Sequence, residues 1–491
     1  MLNSAPVLVP VIGLAFIVGV DVLAFFHPFA DGGGGGERVL WVAVQALQVN
    51  RPDVKLAIYC RAGRTPNRLC EHAEARFNLK VQPTFETAHL LAPERYPRFT
   101  MLGQAWGSVR VALEGLRQLL PGIYVDTTGW AFPYPLVWLA GARVAAYVHY
   151  PTISTDMLER VRERHNTYNN DSGVSQSWVK SAVKLAYYHL FALLYGAVGA
   201  FASVVMVNSS WTRRHISELW WRWGEPQRVY PPCDTEALLE LPLDRRLKRV
   251  YLVSVAQFRP EKDHALQLRA FALAREKAGK VHTRAGEAML SAQLKLAGSC
   301  RNAADERLLH SLQGLAKELG LEDHVEFCVN VPFSELLRLL GDAVAGLHTM
   351  VDEHFGISVV EYMAAGVVPI ANDSAGPKED IVLSEMGSSG GGEDEGAEGQ
   401  GMLGRDGSAG ERDSGRQQQI ITGYRCRTVE EYADAILDVV GMEQLQRMRI
   451  AAAARRRAQM FSDRRFQAEF MDCMLRLLPP RPKDARRPAR S

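Results

Sequence analysis

Residues 345–371 read AGLHTMVDEHFGISVVEYMAAGVVPIA. Ala345 to His348 is a short apolar run of strand character, Phe355-Gly356 can open a helix, Gly366 can stop it, and Val367 to Ala371 is a second apolar run. A strand, a helix and a strand in immediate succession make a crossover between parallel neighbours, because a hairpin would need only a tight turn. Glu353 stands just before the Phe-Gly pair and Glu361 lies inside the helix, with seven residues between them. A helix start with so little side-chain bulk exposes backbone N–H groups and the positive end of the dipole, which together bind a phosphate or diphosphate. The flanking acids can then accept hydrogen bonds from sugar hydroxyls. Taken alone, the same acids would also suit a solvated helix face, so the decision rests on the rest of the chain.

Working outward, the same alternation of apolar runs and helical stretches fills the sequence, the pattern of a parallel sheet covered on both faces. Strands are expected at Val22 to Phe26, Lys55 to Cys60, Gly122 to Asp126, Val144 to Val148 and Val204 to Asn208. A second set falls at Arg249 to Val255, Gln293 to Ala297, Val325 to Cys328, Ala345 to His348 and Val367 to Ala371. Two such sets joined near Pro242 to Leu247 give two facing doubly wound domains, with ligands in the crevice at the strand C-termini. The expected division is 22–245 for the N-terminal domain and 246–459 for the C-terminal one. A helix at 460–478 could pack back on the first, and 479–491 forms a basic tail.

Composition is ordinary for buried sheets: 491 residues, 47% hydrophobic and 23% charged. A net charge of +2, with Lys and Arg spread along the chain, gives no case for a nucleic-acid partner. The seven cysteines are an odd number without a C-x-x-C pair, which suggests neither a disulfide framework nor a zinc site and fits a reducing compartment. Pro6 to Phe26 is almost wholly apolar. Split at Asp21, its first part is expected to attach residues 1–21 to a membrane as a signal anchor, a tilted span or an interfacial segment. No basic stretch precedes it, which argues against a cleaved secretory signal. Lys180 to Phe201 is a long apolar helix, read as core, with a surface lying on a bilayer as the alternative. Residues 384–419 are rich in Gly, Ser, Glu, Asp and Arg and are expected to be a disordered insertion.

Several further residues sit where a doubly wound fold places ligands. Arg259 and Lys262 follow an expected strand, and two cations there suit a diphosphate leaving group, although a surface ion-pair cluster with Glu261 and Asp263 fits equally well. The run Gly32 to Gly36 before Glu37 is a strand-turn-helix junction whose missing side chains allow close backbone approach. His149, after a strand, points into the crevice and could bond a sugar hydroxyl or a phosphate. Asn208-Ser209-Ser210 ends a strand and caps a helix, and Arg301 is a possible contact on another strand-end loop. There is no D-x-D and no His/Cys cluster with metal spacing, so no metal is expected.

These segments, taken in order, resemble a known family. E-H-F-G-I-S-V-V-E is similar to the E-x7-E motif of retaining glycosyltransferases of family 4, which have the two-domain GT-B fold. F-F-H-P-F-A-D-G-G-G-G-G-E-R-V-L-W, V-H-Y-P-T-I-S-T-D-M-L, V-M-V-N-S-S-W-T, the R-P-E-K-D-H loop and S-A-G-P-K-E-D-I-V narrow the resemblance to the α-1,2-mannosyltransferases of asparagine-linked glycosylation. The resemblance implies transfer of mannose from GDP-mannose to dolichol-diphosphate-linked Man3GlcNAc2 at the cytosolic face of the endoplasmic reticulum membrane, with other mannosyltransferases of the pathway as partners. It implies Glu353, Lys262, Arg259 and His149 as catalytic residues. It also implies Glu361, Phe355, Gly356, Ile357, Gly34, Gly35, Gly36 and Arg301 as donor contacts, with no cofactor. An epimerase of the same architecture and a non-catalytic scaffold are the alternatives.

Overall fold

The computed structural model describes residues 7–11, 14–90, 100–153, 178–221, 224–244, 250–386 and 419–481. Its N-terminal sheet holds β1 (Val7–Val11), β2 (Leu14–Phe26), β3 (Lys55–Arg61), β4 (Phe85–Leu90), β5 (Leu120–Asp126), β6 (Arg143–Val148), β7 (Val204–Val207) and β8 (Gln227–Arg228). The order is β4-β3-β2-β5-β6-β7-β8, all parallel, with β1 turned back antiparallel on β2. The C-terminal sheet holds β9 (Tyr251–Val255), β10 (Gln293–Gly298), β11 (Val325–Val329), β12 (Ala343–His348), β13 (Val368–Asn372) and, beyond a rung formed by β14 (Glu385–Met386) and β15 (Gln419–Ile420), β16 (Tyr424–Cys426). Its order is β11-β10-β9-β12-β13-β16, again parallel. In each sheet the direction of winding reverses once, between β2 and β5 and between β9 and β12. Loops leaving those strands diverge to opposite faces and leave a crevice there.

Helices cover both faces of the N-terminal sheet. On one side lie α1 (Gly35–Asn50) and α2 (Pro66–Phe77); on the other lie α3 (Met101–Gln118), α4 (Tyr134–Leu139), α5 (Trp178–Gly199) and α6 (Ser210–Leu219). In the C-terminal domain α7 (Ile357–Ala365) follows β12, and the chain ends by returning α8 (Asp463–Leu475) to the first domain, where Phe466, Phe470 and Met474 join the core under α1. Arg38 of α1 pins it. The guanidinium bonds both oxygens of Asp463 at 2.7 and 3.0 Å and also donates to the carbonyls of Pro232 and Phe77. Burial pushes the Asp463 carboxyl up and Arg38 draws it back. Asp463→Ala would leave a buried cation without its partner, so a loss of about 3–5 kcal/mol is expected, read as a lowered urea midpoint.

Several expectations change. The segment expected to attach residues 1–21 to a membrane contains the strand pair of β1 and the first part of β2, and no helix among the described residues is long and apolar enough to cross a membrane. The β-branched and aromatic residues of that run suit a strand continuing into the sheet. The edge strand β4 was not expected because it is no unbroken apolar run: the exposed Glu86 and His89 stand between the buried Phe85, Ala88 and Leu90. The long helix read as core is α5, and it is core on one face only. Phe191 and Tyr195 are buried, while Leu190, Leu193 and Leu194 are 51, 53 and 40% exposed. The insertion expected at 384–419 lies outside the described residues from 387 to 418, as does most of the basic tail.

Candidate active site

The two reversal points face one another across a cleft of about 910 Å³, lined from one side by Gly33 to Gly36 and His149 and from the other by Arg259, Lys262, Glu353 to Ser358 and Glu361. The sheet order explains the convergence. Lys262 follows β9 and Glu353 follows β12, the two strands flanking the reversal, so residues far apart in sequence leave the sheet side by side.

Glu353 is held by two groups: Lys262 Nζ lies 2.5 Å from its Oε2, and His348 Nε2 lies 3.2 Å from the same oxygen. Burial pushes this carboxyl up, but the Lys262 ammonium and the His348 hydrogen bond outweigh it and hold the group well below the usual carboxylate range. Thr349 locks the two loops together, its hydroxyl donating to the Lys262 carbonyl and accepting from Gln267. After Glu353 the chain turns at Gly356, whose φ of +112° only glycine adopts without strain, and α7 begins at once. Gly356, Ile357 and Ser358, where it starts, line the cleft. Phe355 is itself buried between Tyr230 and Phe461, so only its backbone is available to a ligand.

Glu361, one turn further on, has no hydrogen-bond partner among the described residues and is partly open to the cleft. Burial raises its carboxyl, against the pull of Arg38 and with a further push from Asp234. Arg259 lines the cleft and pairs with Glu261 at 2.5 Å, so both sequence readings of that cation, cleft group and surface ion pair, are present at once. Arg301 stands apart. It bonds Asp305 at 2.9 Å and is not among the residues lining the cleft.

On the opposite wall Gly34 is the N-cap of α1, and its N–H donates to Glu37 Oε2 at 2.8 Å. The other Glu37 oxygen lies 3.5 Å from His27 Nε2, and His27 Nδ1 meets the Thr127 hydroxyl at 2.7 Å. The glycine turn is therefore tied to the ends of β2 and β5. Sequence reading missed His27 and Glu37 as supports, although a glutamate three residues after the cap is the spacing of a capping box. A Cβ on Gly35 would come within 2.5 Å of Ile357 Cδ1, so the two domains meet at this point. His149 Nε2 is buried without a hydrogen-bond partner among the described residues, 3.6 Å from where a Cβ on Gly36 would stand. Burial and the neighbouring His27 hold its imidazole down to about 4, so it is neutral at physiological pH.

Two doubly wound parallel sheets facing a cleft, with cations and a bare helix start on one wall and a glycine turn on the other, define the GT-B class of glycosyltransferases. Solved structures agree on the fold. Sucrose-phosphate synthase from Thermosynechococcus elongatus (TM-score 0.59, 16% identity, covering 93% of this chain and 99% of that one) and Anabaena Alr3699/HepE in complex with UDP and glucose (0.56, 16%, 93% and 99%) share it. Residues 20–220 match the family model described as ALG11 mannosyltransferase N-terminus, and residues 242–389 match that of glycosyl transferases group 1. The mouse GDP-Man:Man(3)GlcNAc(2)-PP-Dol alpha-1,2-mannosyltransferase is 42% identical over 93% of this chain and 87% of its own length, and the human enzyme of that name is 40% identical over the same shares. The chain belongs to this mannosyltransferase family.

Proposed function

We propose that the protein transfers mannose in α-1,2 linkage from GDP-mannose to dolichol-diphosphate-linked Man3GlcNAc2, adding the fourth and fifth mannoses. The observation that carries the reading is the meeting of Glu353, Lys262, Glu361 and the glycine turn in one cleft, in a chain this similar to enzymes of that name. That likeness favours transfer over epimerisation or a scaffold role.

Donor and product are both α-linked, so configuration is retained and the acceptor hydroxyl attacks from the face the diphosphate leaves. The bond from the mannose anomeric carbon to the phosphate oxygen breaks, the bond to the acceptor oxygen forms, and the departing phosphate takes the hydroxyl's proton. Arg259, Lys262 and the N–H groups opening α7 stabilise the growing charge on the leaving group. Gly34 to Gly36 close over the diphosphate, His149 donates to or accepts from the donor sugar as a neutral imidazole, Glu353 faces the mannose and Glu361 accepts from the ribose diol. Labelled GDP-mannose with a dolichol-linked trimannosyl acceptor tests the reaction, and a purified protein that never passes label to the lipid would end it.

The assignment of Glu361 has its own pH signature. Because burial raises this carboxyl, it takes up a proton on acidification sooner than a free glutamate and stops accepting from the ribose. The acid limb of kcat/KM for GDP-mannose is therefore expected above the ordinary glutamate value. Glu361→Gln is expected to remove that limb and raise KM by about tenfold, with kcat little changed. An unaltered limb would assign the titration elsewhere.

We place the protein at the cytosolic face of the endoplasmic reticulum membrane. The reading is supported by the lipid-linked acceptor in the relatives' names and by the outer surface of α3, α4 and α5, where Trp106, Trp138, Leu190 and Leu193 are more than half exposed. A helix apolar on both faces asks for a second apolar neighbour. Flotation with dolichol-containing vesicles is the expected behaviour, and protein left in the soluble fraction would contradict it.

A further inference from the structure

The Glu353 loop belongs to the C-terminal domain, yet much of what touches it comes from the other domain. The ring of His354, next to Glu353, lies between Tyr150, 4.1 Å away between centroids, and Trp211, 5.3 Å away. Tyr150 follows β6, and Trp211 is in the first turn of α6. Burial holds the His354 imidazole down to about 4, so a neutral ring meets these aromatic faces.

A second connection starts one residue earlier. Ser210 opens α6, and its N–H and its hydroxyl each donate to the carboxylate of Asp380 at 2.7 Å. Asp380 belongs to the C-terminal domain and is fully buried. It also accepts from the Tyr230 hydroxyl at 2.8 Å and faces Arg228 at 3.4 Å, and both of these groups come from the strand-end segment of the N-terminal domain. The carboxylate thus sits at the positive end of a helix from the opposite lobe, with a guanidinium balancing its charge.

The two connections converge on the same peptide. The segment carrying Asp380 begins after Gly376, whose N–H donates to the Glu353 carbonyl at 2.9 Å. A Cβ on Gly376 would come within 2.5 to 2.8 Å of the Phe355 and His354 backbone. The first turn of α6 therefore grips the Glu353 loop twice, through the Trp211 ring on His354 and through Ser210, Asp380 and the Gly376 amide.

We propose that Trp211, Ser210 and Asp380 are positioning residues, and that the first turn of α6 is the element by which the acceptor domain sets the Glu353 carboxylate in place. The proposal rests on the reading that Glu353 faces the transferred mannose. It assigns to the N-terminal domain a share in the catalytic geometry that its own cleft residues do not show. None of the three need touch the donor.

The test separates chemistry from donor binding. Trp211→Ala and His354→Ala are expected to lower kcat about 100-fold, the cost of displacing a reacting group by roughly 1 Å. GDP affinity by calorimetry should change less than about threefold, because the cations and α7 remain. Trp211→Phe, which keeps a ring on His354, should recover kcat to within about threefold of the parent. Asp380→Asn, close in shape, replaces one acceptor oxygen with an amide donor among the Ser210, Tyr230 and Arg228 donors and should speed hydrogen exchange of the 353–357 amides along with the fall in kcat. A Trp211→Ala protein with parental kcat would overturn the proposal, as would a Trp211→Phe protein no better than Trp211→Ala, or a GDP affinity that falls in step with kcat. If the parent protein transfers no mannose at all, the proposed reaction falls, while hydrogen exchange at 353–357 in Asp380→Asn still decides the grip: faster exchange supports it and unchanged exchange refutes it.

Discussion

Lys262→Ala is expected to lower kcat for mannose transfer by about 10²–10³-fold, the usual loss when one group stabilising a developing anion is removed. The lysine has two roles that the substitution removes together. In the proposed reaction its ammonium meets the departing diphosphate, and it lies 2.5 Å from Glu353. With Lys262 gone, burial is opposed only by His348 and the neighbouring His354, so the Glu353 carboxyl, now held well below its usual range, should rise. The acid limb belonging to Glu353 should therefore move to higher pH. A variant with near-parental kcat, or one with the limb unmoved, would show that Lys262 neither carries the leaving group nor sets the charge of Glu353.

Gly376→Ala is expected to act on stability and activity at once. The added methyl would meet backbone atoms at 2.5 to 2.8 Å, not the far end of a side chain that could swing away. Relief requires moving the Glu353 loop or the segment leading to Asp380. Overpacking of this kind costs about 1–3 kcal/mol, and a loop shifted by roughly 1 Å would lose about 100-fold in kcat. Thermal unfolding and single-turnover transfer measure the two effects. A variant that melts early but turns over normally would mean that the loop's position is not set at this contact.

The strands flanking both reversal points were legible in the sequence because they are buried on both faces and read as unbroken apolar runs. Leu23, Val125, Leu252 and Leu347 show this at full burial. The helix opening at Gly356 was legible from the residues that leave it bare. Residues whose importance comes from distant partners were not. Asp380 looks like any acid near a helix start until Ser210 and Tyr230 are seen around it, and His354 gives no sign in sequence of the rings that flank it. Glu37 and His27 lay within quoted motifs, but the bond linking them depends on how β2 and α1 meet. The apolar run at the N-terminus was legible as apolar but not as an element, because hydrophobicity and length do not separate a strand continuing into a sheet from a helix when the periodicity is weak.

The two-residue rung of β14 and β15 has a consequence for how this lobe tolerates change. Glu385 lies opposite Ile420 and Met386 opposite Gln419, so the two points that bracket residues 387–418 stand side by side. The entropy of joining fixed ends grows only with the logarithm of the intervening length. A change of length between these paired ends is therefore expected to cost the lobe little stability, which makes the rung a suitable place to graft an epitope or a reporter.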